Sequence, residues 1–299
     1  MARTIYVEKA VAQHQRTEKI LKKIKSKNII EIEHYGEIFN RNRQNFRAQK
    51  QSLNYIIAAK KNNLVIPVPP STNSVKGYYF SHMYNCIYDC SYCFLQGHFN
   101  SAYHVYFVNY ENFKEEIIQK IDNSSDKLWF FSGYDCDSLA SEKITGFAAF
   151  FVPFFKGLNN CVLELRTKST QIKQLLELSP NPNIVCAFSL NPQTVIDAYE
   201  KGTPSLHSRI QSIKLLAKKG WNIGFRFDPF LPEVSNTNKY LDLFNLAVKS
   251  IPDENIHSVS LGNLRLPETH HKKMMKNDIT NKLLVNEQYK YNQKIWCPN

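Results

Sequence analysis

The sequence contains no long hydrophobic run. Nowhere do eighteen apolar residues stand together, and charged residues interrupt the first twenty positions. A membrane-spanning helix needs about 20 mostly apolar residues, and a secretory leader needs an uninterrupted apolar core. We therefore expect a cytoplasmic protein that does not associate with membranes. Its 299 residues, 43% of them hydrophobic, are enough to bury a large core.

Cysteine is scarce, with seven residues in the chain. Three of them, Cys86, Cys90 and Cys93, stand within the eight residues CIYDCSYC, and the other four are isolated. Thiols stay reduced in the cytosol, so this cluster indicates a metal or catalytic site and not a disulfide framework. We expect Cys161 and Cys186, which fall inside predicted strands, to be small buried hydrophobic residues.

Acidic residues are few in the first quarter of the chain. Residues 1–70 hold fourteen Lys or Arg against five Glu, which accounts for nine of the twelve net positive charges. Such a segment can neutralise phosphates, and Phe39, Phe46 and Tyr55 are interleaved as candidate base-stacking residues. The alternative is a solvated amphipathic helix, because apolar residues recur near helical spacing between the lysines of residues 17–28. Charge alone leaves both interpretations open.

Short β-rich segments alternate with longer amphipathic ones from about residue 77 onward. This alternation predicts parallel strands joined by right-handed helical crossovers, and six such units indicate a partial barrel, although a doubly wound open sheet gives the same string. We predict an α/β fold: a partial (β/α)6 TIM-like barrel over residues 71–299, ending in a short C-terminal tail, and a basic N-terminal extension over residues 1–70. A Pro-rich connector is predicted at 65–74. The predicted strands are 77–83, 127–133, 161–168, 183–190, 222–230 and 256–263, with helices at 110–121, 206–221 and 237–251.

The three clustered cysteines are compatible with several kinds of site. Structural zinc takes four ligands, usually two C-x2-C pairs, although His82 or His98 could complete a set here. A catalytic dithiol needs only Cys90 and Cys93. Iron–sulfur clusters are usually held by four thiolates, so three would leave one iron open to bind a small molecule. The cysteines directly follow the first predicted strand, and parallel α/β proteins collect their chemistry at the carboxyl ends of strands.

The C-x3-C-x2-C motif, with Tyr92 before and Phe94 after its third cysteine, resembles the radical S-adenosylmethionine superfamily. In that superfamily the open iron of a 4Fe-4S cluster chelates S-adenosylmethionine, and one electron cleaves it to methionine and a 5′-deoxyadenosyl radical. The resemblance implies that Cys86, Cys90 and Cys93 bind such a cluster, that S-adenosylmethionine is the second cofactor, and that a reductase or flavodoxin-type protein supplies electrons. The protein orients the cofactor and excludes water.

Longer segments resemble the spore photoproduct lyase family, whose members revert a methylene-bridged thymine dimer in DNA. CSYCFLQ, LELRTK, QNFRAQKQSL and residues 189–230 carry the likeness, which covers residues 40 to 290. It implies a DNA substrate and thymine-lesion repair, and it places Lys168, Ser189 and Asn191 near S-adenosylmethionine, with the lysine meeting the methionine carboxylate. Two alternatives stay open: an enzyme of this superfamily that acts on another nucleotide or small molecule, and a nucleic-acid-binding protein with a structural zinc or redox cluster.

The segment SGYDCDSL (132–139) departs from the family pattern. The family has a hydrogen-donating cysteine three residues before an Asp, and matching that Asp to Asp137 puts Tyr134 at the donor position. Cys136 lies two residues downstream, and we favour it over Tyr134 as the catalytic donor, since thiols and phenols both form relatively stable radicals. The alternative for Cys136 is a small buried hydrophobic residue. The same segment resembles the superfamily's glycine-containing cofactor loop. The predicted cofactor-binding residues are Phe94, Ser132, Gly133, Lys168, Ser189 and Asn191.

The C-terminus departs from the family as well. The family continues from a similar Tyr-Lys segment into a hairpin and helix that contact DNA, whereas this chain ends at NEQYKYNQKIWCPN. We expect most of that element to be missing. Extruding a bonded thymine pair from a duplex requires an element that stabilises the gap, so the basic N-terminal region would have to compensate. A remnant of the element, or a polar tail, is expected at Tyr289, Lys290, Tyr291, Lys294 and Trp296.

Overall fold

The computed structural model describes residues 3–69, 76–231 and 236–298. Residues 70–74 of the predicted connector lie outside this part. No helix in the described ranges is both long and apolar enough to span a bilayer. The strands are β1 Thr4–Glu8, β2 Asn28–Ile32, β3 Tyr55–Ala58, β4 Val65–Pro67, β5 Gly77–Phe80, β6 Met83–Tyr84, β7 Asp89–Cys90, β8 His104–Phe107, β9 Leu128–Ser132, β10 Cys161–Thr167, β11 Ile184–Ser189, β12 Glu200–Lys201, β13 Asn222–Phe230, β14 Ile256–Asn263, β15 Leu266–Pro267, β16 Tyr289–Asn292 and β17 Ile295–Pro298. The α-helices are α1 Gln15–Ile24, α2 Phe46–Gln51, α3 Leu95–His98, α4 Tyr110–Asp122, α5 Glu142–Thr145, α6 Phe147–Lys156, α7 Lys173–Glu177, α8 Gln193–Tyr199, α9 Leu206–Lys218, α10 Thr237–Val248 and α11 Glu268–Asn277.

The larger sheet has the order β14-β13-β11-β10-β9-β5-β4. Neighbours from β5 to β14 pair in parallel, and β4 runs antiparallel to β5. The six parallel strands therefore follow one another in chain order, as in a barrel segment, whereas a doubly wound sheet reverses direction at a switch point. The predicted partial (β/α)6 architecture is confirmed, and the open-sheet alternative is excluded.

The central strands are apolar because both faces of the sheet are covered. All six residues of β11 are buried, and so are six of the seven in β10. Phe147, Phe151 and Phe155 of α6 recur every four residues and are 0% exposed, so they form one stripe of the helix that faces the core. Cys161 and Cys186 are also 0% exposed, as predicted.

The N-terminal residues form a second sheet with the order β2-β1-β3-β8-β6. Its first four strands pair in parallel and β6 runs antiparallel to β8. Because β6 and β8 follow residue 76, this sheet combines strands from both sides of residue 70. The predicted boundary between an N-terminal region and the barrel at residue 70 stays a prediction. Helix α1 packs Ile20, which is 2% exposed, against Ile5 and Val7 of β1. The helix is therefore the predicted amphipathic one, with its lysines outward.

Two of the three predicted base-stacking residues are part of the core. Phe39 is 3% exposed and Phe46 is 7% exposed. The Phe39 ring packs between Tyr84 and Phe99, at centroid distances of 5.7 and 4.9 Å. The stacking prediction is wrong for Phe39, because an aromatic ring gains more by leaving water than by remaining exposed among charges, and for Phe46 it stays a prediction.

The C-terminal strands form a three-stranded antiparallel sheet with the order β15-β17-β16. Gln293 and Lys294 join β16 to β17 and both have positive φ, 44° and 64°, as in a two-residue hairpin turn. Trp296 stacks between His271 and Tyr289, with ring centroids 4.2 and 4.4 Å away. The expectation of a polar tail is wrong, since this end of the chain forms a hairpin with a buried tryptophan.

Candidate active site

A cavity of about 230 Å³ lies at the carboxyl edge of the parallel sheet. Its lining comes mainly from the segments that follow β5, β9 and β10 and from the ends of β11 and β13, where folds of this kind hold their chemistry. Phe46 and Lys50 of α2 contribute from the N-terminal side. Ser132 and Asn191 are buried and do not line the cavity. The predicted site residues that line it are Cys86, Cys90, Cys93, Phe94, Gly133, Tyr134, Cys136, Lys168 and Ser189.

The cysteine loop (residues 86–93) is held by backbone contacts on two sides. Its strand β7 pairs antiparallel with β12, which puts Cys90 opposite Glu200. The Ser91 N–H donates to the Tyr199 carbonyl at 2.9 Å, and Asn281 Nδ2 donates to the Ser91 carbonyl at 2.9 Å. An irregular loop is thereby fixed in one conformation, as a preorganised site requires.

The surroundings of the three thiols fit a 4Fe-4S cluster. Burial raises the pKa of Cys86 and of Cys93, and raises that of Cys90 to about 12, so each free thiol keeps its proton until a metal displaces it. The Tyr88 N–H donates to Cys86 Sγ at 3.4 Å, and the Leu95 N–H forms a hydrogen bond with Cys93. Hydrogen bonds to sulfur of this kind help to set the reduction potential of clusters.

A single zinc ion fits less well. In residues 3–69, 76–231 and 236–298, no three His, Cys, Asp or Glu side chains converge as ligands of one metal ion. Zinc draws four ligands onto one centre, whereas the thiolates of a cluster bind separate irons and lie further apart. His82 Nδ1 lies 3.9 Å from Cys136 Sγ, and His98 Nδ1 lies 2.9 Å from His270 Nε2. Neither histidine joins the cysteine loop, so the zinc interpretation lacks its fourth ligand.

Lys168 follows β10 and brings a positive charge to the cavity. Its Nζ lies 5.7 Å from the centroid of the Tyr92 ring. Burial lowers the pKa of Lys168, but the interactions with Cys90 and with the Glu200 carboxylate outweigh burial, and the pKa is raised above its ordinary value. A half-buried ammonium group that stays charged suits a carboxylate-bearing ligand.

Ser189 and Asn191 differ in where they lie. Ser189, at the end of β11, lines the cavity, and its carbonyl accepts from Arg209 Nη1 at 3.0 Å. The amide of Asn191 is already bonded on both sides: Nδ2 donates to Glu200 Oε1 at 2.9 Å, and Oδ1 accepts from the Tyr240 hydroxyl at 2.9 Å. Asn191 therefore supports the cavity from behind.

The β9 loop (residues 133–138) forms the other side of the cavity. Gly133 has φ +88°, and a Cβ there would lie 2.7 Å from Ser138 Oγ, so this position requires glycine. The Asp137 carboxylate accepts from the Lys168 N–H at 2.6 Å, which ties the loop to the end of β10. Ser132 Oγ lies 2.8 Å from Ser138 Oγ and so braces the loop from inside.

The two candidate hydrogen donors reach the cavity from different depths. Tyr134 is 40% exposed, stacks on Tyr79 at 4.4 Å and has its ring centroid 5.2 Å from that of Phe94. Cys136 is 6% exposed, and its Sγ lies 3.9 Å from Nδ1 of the buried His82 ring. Both residues line the cavity, so the geometry leaves both as candidates.

Sequence reasoning missed Glu200 and Arg209, whose side chains are both 0% exposed and form an ion pair at 2.5 Å. A signal was present in α9. Arg209 stands four residues before Ile213 and seven before Leu216, both 0% exposed, so it lies on the apolar stripe of that helix. A charged residue on such a stripe is buried and needs a charged partner.

The parallel strands are wound in one direction, and the three thiols lie on the loop that follows β5, the first of these strands. This arrangement is that of the radical S-adenosylmethionine superfamily. Comparison with known proteins narrows this class. The family model for spore photoproduct lyase matches residues 1–296, nearly the whole chain. The chain belongs to the spore photoproduct lyase family.

Individual relatives agree with this assignment. Spore photoproduct lyase of Clostridium acetobutylicum is 25% identical over 207 residues, which is 66% of this chain and 60% of the relative. The Geobacillus protein of that name is 25% identical over 161 residues, 53% of this chain and 47% of the relative. The matches therefore span about half to three fifths of the length of these curated relatives. A spore photoproduct lyase mutant solved with bound AdoMet and dinucleoside spore photoproduct has a TM-score of 0.84 at 16% identity, covering 100% of this chain and 91% of that chain, which shows the shared fold.

Proposed function

We propose that this protein is a radical S-adenosylmethionine enzyme that repairs a thymine lesion in DNA, as a spore photoproduct lyase does. The observation that carries the proposal is the convergence of three cluster-type thiols, Lys168 and Ser189 on one cavity. When held by the cysteine loop, the 4Fe-4S cluster supplies the electron that cleaves S-adenosylmethionine to methionine and a 5′-deoxyadenosyl radical. The relative solved with bound AdoMet and spore photoproduct supports this assignment of cofactor and substrate.

The residues at the end of β10 and β11 bind the cofactor. The Lys168 ammonium group meets the methionine carboxylate, and the Ser189 hydroxyl bonds the ribose or amino group. Phe94 packs against the bound cofactor, and Gly133 lets backbone approach it closely. Ser132 and Asn191 act indirectly, by holding the β9 loop and the segment after β11 in place.

The β9 loop faces the substrate. Cys136 is the proposed residue that returns a hydrogen atom to the substrate radical, and Tyr134 is the second candidate. In either case the S–H or O–H bond breaks, a C–H bond forms on the thymine, and the radical passes to the side chain. Cys136 is well enclosed for this step, since it is 6% exposed and so shielded from bulk water.

Partners follow from charge and chemistry. The basic N-terminal region and the hairpin, with exposed Lys290 and Lys294 beside a 43% exposed Tyr291, suit a DNA strand. The electron donor is a reductase or flavodoxin-type protein, and the reaction takes place in the cytoplasm.

Anaerobic turnover tests the proposal. The reconstituted protein, dithionite, S-adenosylmethionine and dinucleoside spore photoproduct should yield thymidine monomers. Formation of 5′-deoxyadenosine without repaired thymidine would show that the cofactor is cleaved but that this lesion is not the substrate. It would favour the alternative of another nucleotide or small molecule. Protein that holds no iron and leaves S-adenosylmethionine intact would contradict the proposal as a whole.

A further inference from the structure

Glu200 is a buried carboxylate whose oxygens are fully engaged. Oε1 accepts from the Tyr92 hydroxyl at 2.5 Å and from Asn191 Nδ2 at 2.9 Å. Oε2 accepts from Arg209 Nη2 at 2.5 Å. A carboxylate has about four acceptor positions, so these bonds, together with a 3.5 Å contact to Thr203, leave the group one orientation.

These contacts connect Glu200 to the cysteine loop at two points. Its backbone pairs with Cys90 through the β7–β12 ladder. Its carboxylate holds the hydroxyl of Tyr92, which stands directly before Cys93. A shift of Glu200 would therefore move the segment that carries two of the three cluster cysteines.

Glu200 is also connected to Lys168. The Tyr92 ring lies between them, with its hydroxyl on Glu200 and its face 5.7 Å from Lys168 Nζ. Two cations, Lys168 and Arg209, adjoin this single carboxylate. Burial tends to raise the pKa of Glu200, but these two cations outweigh burial and lower it. Arg209 is neutralised in its ion pair, so one surplus positive charge remains, on Lys168 at the cavity.

We propose that Glu200 is a positioning residue, which fixes Lys168 and the cysteine loop relative to each other and so sets the affinity for the carboxylate-bearing cofactor. This inference rests on the proposed function. Loss of the carboxylate would leave Lys168 and Arg209 as uncompensated neighbours and release the Tyr92 hydroxyl.

The first test is Glu200→Gln, which keeps the shape and removes the charge. The dissociation constant for S-adenosylmethionine should rise at least tenfold, measured anaerobically by equilibrium binding on protein with a matched iron content. Removing one partner of a buried ion pair leaves the other charge unpaired and can unfold a protein. A second variant, Glu200→Gln with Arg209→Gln, removes both charges, and its melting temperature should recover toward that of the wild type.

The double variant separates positioning from stability. If Glu200 positions Lys168, binding stays at least tenfold weaker although the melting temperature recovers. Wild-type affinity in the double variant would show that the ion pair only stabilises the fold, and would overturn the proposal.

Glu142→Gln is the matched control. Glu142 is also buried, at 7% exposed, but its carboxylate accepts from the Ala148 N–H at 2.8 Å and does not line the cavity. The affinity of the Glu142→Gln protein for S-adenosylmethionine should stay within twofold of the wild type. A loss of affinity in this control as large as that in Glu200→Gln would also overturn the proposal. Wild-type protein that holds a cluster but does not bind S-adenosylmethionine would refute the proposed function itself. Tight binding by the wild type and by every folded Glu200 variant would refute only the positioning role.

Discussion

Two buried carboxylates stand on the two sides of the cavity and differ in their partners. Glu200, beside the cysteine loop, is 2% exposed and contacts Arg209 directly. Asp135, in the β9 loop, is 6% exposed, and its Oδ1 lies 3.9 Å from Nε2 of His98, a ring whose pKa is lowered by burial. Burial raises the pKa of Asp135 to about 6, because Lys60 and Ser81 offset the burial only in part. Similar burial thus gives opposite pKa shifts, and the charges of Lys168 and Arg209 beside Glu200 decide the sign.

Polar atoms without a partner occur on both sides of the cavity. Among the described residues, His82 Nε2 and His104 Nδ1 are buried without a hydrogen bond. His82 adjoins Cys136, whereas His104, which lines the cavity, forms a hydrogen bond with the backbone of Cys86. Unpaired polar atoms therefore lie beside the β9 loop and beside the cysteine loop. Buried polar groups that lack partners are the usual places for bound water or ligand.

Removing a cluster ligand should have the largest effect. Cys90→Ala is expected to abolish both cluster assembly and cleavage of S-adenosylmethionine, because two thiolates cannot hold the cluster with one open iron. Iron and sulfide analysis after anaerobic reconstitution, with product chromatography, provides the measurement. Cys161→Ala, a buried strand cysteine, is the control and should retain roughly four irons per chain. Cleavage by Cys90→Ala protein would defeat the assignment.

Removing the cavity cation should come next. Lys168→Ala is expected to weaken S-adenosylmethionine binding by roughly 10- to 100-fold, since a hydrogen bond to a charged group contributes about 1.5–3 kcal/mol. The cluster should remain, because Lys168 is not a ligand. Lys173→Ala, whose side chain is 87% exposed, is the matched control. Unchanged affinity for S-adenosylmethionine in Lys168→Ala would show that Lys168 is a lysine at a strand end with no role in cofactor binding.

Changing the β9 side should alter the product without preventing cofactor cleavage. If Cys136 donates the hydrogen atom, Cys136→Ala should still cleave S-adenosylmethionine but release aberrant thymine adducts, and Tyr134→Phe should give normal repair. Mass spectrometry of the nucleoside products distinguishes the two variants. The reverse outcome would assign the donor role to Tyr134, and normal product from both would exclude this loop as the donor.

The smallest expected effect is on stability. The folded protein holds the Asp135 proton up to about pH 6, above the ordinary pKa of 3.8, so the folded state binds more protons than the unfolded state between these values. The wild type should therefore lose stability relative to Asp135→Asn as the pH rises from about 4 to above 6. Urea unfolding at several pH values measures the difference. If the difference in stability between the wild type and Asp135→Asn does not change with pH, the pKa of Asp135 is not raised on folding.

The fold was accessible from sequence because its signals are local. Strand and helix periods alternate along the chain, and the six predicted strands all form. The second sheet was missed because β8 and β6, which complete it, are separated from β1, β2 and β3 by other elements. Phe39 was misjudged for a related reason: interleaving with charges does not show which face of the chain is covered.

The site was accessible only in part. The cysteine spacing singled out the cluster ligands, and the resemblance to the spore photoproduct lyase family placed Lys168 and Ser189 near the cofactor. Ser132 and Asn191 were also assigned to cofactor binding, and that assignment stays a prediction, since both are buried and neither lines the cavity. Glu200 was missed because its partners Tyr92 and Arg209 lie 108 and nine residues away.

The sequence by itself determined the order of strands and helices and the short cysteine loop, since these depend on neighbours along the chain. Tertiary structure alone decided which charged groups share a buried space. Glu200 and Asp135 carry the same functional group, but folding places Glu200 beside Lys168 and Arg209 and leaves Asp135 with only partial compensation from Lys60 and Ser81. Their opposite pKa shifts follow from electrostatic interaction over a few ångströms of space, a distance that sequence separation does not specify.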